Sequence, residues 1–119
     1  MATNSKDIMG KIKSHYRETV SGELKSIEVP EWDTTFYYKR GTNFLTESKV
    51  MELQNAGKTA EALVQVLVNR LLDEEGKRVF NEHNKSELMR AADPKVLLSV
   101  VSQINDDDDA VSVEDAEKN

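Results

Sequence analysis

Four stretches of this 119-residue chain carry residue types that could do chemistry. Asp73-Glu74-Glu75-Gly76 places carboxylates before a glycine, as a calcium loop does. A twelve-residue calcium loop needs oxygen ligands at alternating positions, glycine sixth and glutamate twelfth. With Gly76 sixth, Glu82 falls twelfth, but Leu71 falls first and cannot ligate. The stretch reads as a turn that ends a helix. His83, flanked by Glu82 and Glu87, could perform acid–base work if the three converged in a pocket. No nucleophile motif or glycine-rich loop stands beside it, and a surface histidine is the simpler reading; the same holds for His15. Tyr37-Tyr38-Lys39-Arg40 sets aromatics beside bases, which could stack nucleobases. The run Asp106–Asp109 could bind divalent ions weakly, mimic a nucleic-acid backbone or enter a basic groove on a partner. Its simplest reading is a solvated, self-repelling tail.

Charge distribution decides among these. The net charge is −6, from 16 bases and 22 acids. Seven of the acids and one base, Lys118, lie in 106–119, so residues 1–105 are neutral. A neutral body with an acidic tail lacks the basic footprint that nucleic-acid binding requires. The chain has no cysteine, which removes disulfides, thiolate zinc sites and cysteine nucleophiles. Two histidines, His15 and His83, leave little from which to build a metal site. No run approaches the about 18 apolar residues of a membrane span, and Met1–Lys13 lacks a signal-peptide core. A soluble intracellular protein of one domain is expected.

The elements that must position any site follow from periodicity. Ile8, Ile12 and Tyr16 form a narrow stripe at helical spacing, with Asn4 or Ser5 as cap, Gly10 inside and Gly22 at the end. This predicts a marginal, loosely attached helix within 1–23. The period then becomes two. Leu24–Val29 and Thr34–Lys39 read as strands joined through Pro30-Glu31-Trp32-Asp33. Thr46 is expected to cap a helix through Val50 and Leu53, closed by Gly57. Thr59 should cap the next, which carries Leu63, Val64, Val66, Leu67, Val68, Leu71 and Leu72. So wide an apolar surface marks a central helix. Asn84 and Glu87 suggest a short helix by their capping-box spacing. Asp93-Pro94 opens a final helix through Val96, Leu97, Val100, Val101 and Ile104. Residues 106–119 are expected to be disordered and dispensable for folding. The fold class is α+β: an N-terminal helix, a β-hairpin, then a predominantly helical bundle with a disordered acidic C-terminal tail. Its divisions are 1–23, a single domain at 24–105, and 106–119. Val64, Leu67, Val68, Leu71, Leu97, Val101 and Ile104 should be among the most buried residues.

The order of these features is similar to that of the tail assembly chaperones of long-tailed bacteriophages (siphophages). A strand enters Val29-Pro30-Glu31-Trp32, an aromatic strand follows, and an apolar helix ends in Leu71-Leu72-Asp73-Glu74-Glu75-Gly76-Lys77-Arg78-Val79-Phe80. A last helix runs to Ile104-Asn105. The resemblance covers about residues 24–105; the N-terminal helix and acidic tail lie outside it. It implies a protein that acts in the host cell cytoplasm and is absent from the mature virion. It further implies a chain that binds the tape-measure protein, keeps it soluble and helps recruit the tail-tube protein. Such proteins often have a frameshifted longer form as a partner, and weak homo-oligomers are expected. No enzyme activity, cofactor, metal, nucleic acid or membrane is implied. The alternative is a small acidic phage regulatory or nucleic-acid-mimicking interaction protein. Five of the aromatics fall between Trp32 and Phe44. Trp32, Phe36, Tyr38 and Phe44 are the expected partner contacts, against the alternative that the rings simply pack on the sheet.

Overall fold

The computed structural model describes residues 5–118, with side chains as far as 108. The expected cap Asn4 lies outside the described residues. The elements are α1 (Ser5–Val20), β1 (Lys25–Val29), β2 (Thr34–Tyr38), α2 (Phe44–Asn55), α3 (Thr59–Arg70), α4 (Lys85–Ala91) and α5 (Pro94–Lys118). This is the expected α+β order of helix, hairpin and helices.

The two strands pair antiparallel, with Ile27 opposite Phe36 and Lys25 opposite Tyr38. Because successive side chains alternate between faces, Ile27, Val29, Phe36 and Tyr38 all enter the core, while Ser26, Glu28 and Thr35 face solvent. Pro30–Trp32 forms a single 3₁₀ turn between the strands. Asp33 closes it at φ 48°, a left-handed position that its short polar side chain tolerates. Trp32 meets Phe36 edge-on, with ring centroids 6.1 Å apart. Phe80 also meets Phe36, tilted, with ring centroids 6.0 Å apart.

Helix α3 is central, as its apolar circumference requires. Val64, Leu67 and Val68, with Leu71 just beyond its end, join the hairpin and the α5 residues Val96, Leu97, Val100, Val101 and Ile104 in the main core. Ala62 faces a second cluster with Val50 and Leu53 of α2, and the half-buried Val66 touches both clusters. All seven residues expected to be buried are buried.

Local boundaries differ from expectation where side chains compete for the same backbone groups. Asn43, not Thr46, caps α2: its Oδ1 accepts from the Thr46 backbone N–H at 2.8 Å. Thr59 is the first residue of α3 rather than its cap, and Lys58 before it makes no side-chain cap bond. The central helix stops at Arg70 because Leu71 turns extended and Leu72 pairs with β2. Tyr37 and Leu72 exchange both backbone hydrogen bonds, at 2.9 and 2.7 Å. Asn81 and Asn84 form the reciprocal cap of the 3₁₀ turn before α4, in place of the Asn84–Glu87 pair. Asp93 Oδ1 accepts from the Lys95 N–H where α5 begins.

The largest correction concerns the tail. Asp106–Asp108 continue α5, and Asp107 and Asp108 bind the body. Expected disorder therefore fails at these three residues. The side chains from 109 on, and Asn119, lie outside the described residues.

Leu67 is fully buried between the hairpin and α5. Leu67→Ala is expected to cost about 2–5 kcal/mol by urea unfolding; an unchanged midpoint would remove α3 from the centre of the core.

Candidate protein-binding surface

The four aromatics expected at a partner surface do not share one. Phe36 and Tyr38 are 4% and 5% exposed and belong to the core. The pleat puts both on the inner face of β2, so neither is available for contact from outside. Trp32 is half-buried against the same core. Phe44 is different: it is 78% exposed, and its neighbour Leu45 is 82% exposed. Leu45 was not singled out from the sequence, but a signal was present. Phe44 and Leu45 precede Val50 by six and five residues, spacings that no α-helix places on one face. With Val50 buried, neither shares its side of α2, and both are exposed.

Phe44 lines a groove whose other wall is α1. None of its residues is buried, and the stripe Ile8, Met9, Ile12 and Tyr16 is exposed along its length. The last turn of α1 approaches the body at Gly41. Gly41 sits at φ +80°, and a Cβ there would lie 2.4 Å from Thr19 Cγ2. Glycine thus permits both the turn and the close approach. The Asn43 amide also donates to the Tyr16 hydroxyl at 3.4 Å. Between α1 and the first turn of α2 opens a groove of about 730 Å³, lined by Ile12, Tyr16, Thr19 and Phe44 among others.

The other candidate stretches serve structure. Asp73 Oδ1 accepts from the backbone N–H groups of Glu75 and Lys77, closing a turn in which Gly76 takes φ +83°. His83 is exposed, and its backbone N–H donates to Asn81 Oδ1. Glu82 instead accepts from Gln65 Nε2 at 2.9 Å, which holds its carboxyl below the usual range, with Lys85 adding to the effect. Lys85 also donates to Glu61 and lowers its pKa. Among the described residues no three His, Asp or Glu side chains converge as a metal site. No described helix is long and apolar enough to cross a membrane.

The acidic run and the Tyr-Tyr-Lys-Arg stretch meet each other. Arg70, buried at the end of α3, donates to Asp108 at 2.9 Å and to the Lys39 carbonyl at 2.9 Å. Asp108 also accepts from the Gly41 backbone N–H. Asp107 turns toward the hairpin, where Arg40 and the Tyr38 hydroxyl donate to it at 3.0 Å. Arg40 holds the Asp107 carboxyl below its ordinary range, and Tyr38 assists. Burial, reinforced by the Asp107 carboxylate, pushes the Tyr38 phenol up to about 12.

Removing the aspartates would leave the Arg70 charge buried without its counter-ion. Truncation after Asn105 is expected to destabilise by about 3 kcal/mol, and an unchanged thermal midpoint would refute a structural role for the Arg40–Asp107 and Arg70–Asp108 pairs. The pH dependence has two limbs. Asp107 has a depressed folded pKa, so its contribution is present above the ordinary value of 3.8 and lost as pH falls through the lower folded one. Tyr38 has a raised folded pKa, so its contribution is complete below pH 10.0 and lost as pH rises toward about 12. Asp107→Asn should therefore flatten the acid limb of a stability–pH curve, and Tyr38→Phe the alkaline limb.

Comparison with solved structures gives a likeness in fold. No family model matches the chain. No curated protein matches it either. Among solved structures, that of the bacteriophage HK97 tail assembly chaperone superposes with a TM-score of 0.60. The match covers 84% of this chain and 96% of that one, at 16% sequence identity. The shared property is the fold: a hairpin-and-helix domain, built here around α3, takes the same form as a phage tail assembly chaperone.

Proposed function

We propose that this chain is a phage tail assembly chaperone that binds and solubilises the tape-measure protein and helps recruit tail-tube subunits. The observation that carries the reading is the fold likeness, which takes in nearly the whole of the HK97 chaperone chain. The surface is compatible with it. Apolar side chains stand exposed on α1 and at the start of α2, as a protein that covers apolar stretches of another requires. The role is that of a binding protein rather than an enzyme. It would act in the host cytoplasm, with weak self-association and a frameshifted longer form as accompanying proposals.

The nucleic-acid-mimicking alternative draws its force from free carboxylates. Asp107 and Asp108 are committed to Arg40 and Arg70, which weakens that reading.

Co-expression with the tape-measure protein is the test. The soluble fraction of the partner should rise several-fold, and the two should co-purify. Equal solubility with and without this chain, and no complex on pull-down, would end the chaperone reading.

A further inference from the structure

We propose that the groove between α1 and the first turn of α2 is a docking site for an amphipathic α-helix with acidic flanks, contributed by another protein. The proposal deepens the chaperone reading and rests on it only for where that helix comes from.

Three observations converge on this surface. The first is apolar area without a cover. Ile12 and Tyr16 form one wall and Phe44 the other, and Ile8 and Met9 extend the first wall along α1. The second is the sign of the rim. Lys13, His15 and Arg17 line the groove, and no carboxylate does. Neither Lys13 nor Arg17 makes an ion pair with a described residue. Within a chain of net charge −6, α1 carries four bases against two acids. Glu18 lines the adjoining cleft, with Glu23, Lys25 and Asp108. The third is the absence of a backbone edge. Both walls are helices, and neither offers the row of alternating backbone groups that a strand edge presents; at the start of α2 Asn43 Oδ1 accepts from the Thr46 N–H. An incoming strand would find nothing to pair with. An occupant that satisfies its own backbone, a helix, fits.

The same features disfavour other occupants. A second α1 would bring like charges together. A membrane presents a flat surface to a concave groove.

The probes are two synthetic 18-residue helical peptides with the same leucine stripe, one flanked by glutamate and one by lysine. Each is titrated against the full chain by fluorescence anisotropy. The glutamate peptide should bind about tenfold more tightly, and added salt should narrow the gap. Phe44→Ser and Tyr16→Ser should each weaken binding about tenfold. Leu98→Ser, at an exposed apolar position on α5, should not. Equal binding of the two peptides, or full binding by Phe44→Ser and Tyr16→Ser, overturns the proposal. So does a dimer in sedimentation that Phe44→Ser abolishes, which would assign the groove to a second copy. Binding to anionic vesicles in place of the peptide, lost in the same variants, would assign it to a membrane. If Phe44→Ser solubilises the tape-measure protein as well as the parent does, the groove fails and the chaperone reading stands. If the peptide binds as expected but the tape-measure protein is unaffected, the chaperone reading fails and the groove stands.

Discussion

A single buried guanidinium sets the terms for much of this molecule. Arg70 ends the central helix, where a cation suits the negative end of the helix dipole. Its side chain is nonetheless 7% exposed, and a buried charge without a partner is costly. Asp108 supplies the counter-charge and the Lys39 carbonyl a further acceptor. The last helix must therefore extend past its apolar face at Ile104 far enough to deliver that aspartate. The core accounts for α5 as far as Ile104, and electrostatics accounts for the next turn.

Adjacent residues on a helix diverge by about 100°, so Asp107 cannot share Arg70 with Asp108. It reaches the end of β2 instead, to Tyr38 and Arg40. The two aspartates thus staple the last helix to the central helix and to the hairpin at once. The turn between β2 and α2 is fixed in the process, since Gly41 donates to Asp108. Gly41 is also where the last turn of α1 approaches. The attachment of the exposed helix and the settlement of the buried charge therefore meet at one residue.

What the sequence made legible was whatever a repeating pattern encodes. The alternation of Ile27 and Val29, the apolar breadth of Val64–Leu71 and the stripe from Val96 to Ile104 all pointed to the faces that are buried. The aromatic cluster was legible as strand, and its packing on the sheet won over the contact surface for Phe36 and Tyr38. The caps were less legible, because Asn43 and Thr46 are both competent and only the entry path of the chain chooses between them. The role of Asp107 and Asp108 was illegible for a different reason. A run of four aspartates looks solvated unless one knows that Arg40 and Arg70 wait 67 and 38 residues away. Pattern reports local periodicity, and long-range charge pairing leaves none.

The same separation orders events during synthesis. A growing chain emerges from its amino end, so the hairpin and the central helix are free to assemble well before Asp107 and Asp108 exist outside the ribosome. Until then Arg70 has only the Lys39 carbonyl to satisfy it, and the natural place for its charge is water. The central helix then keeps a hydrated end, and the hairpin sits on it without its final staple. Arrival of the two aspartates pairs Arg40 and Arg70 and ties the last helix to both earlier elements. Vectorial synthesis and native topology here run in opposite directions, with residues made later completing the contacts of elements made earlier.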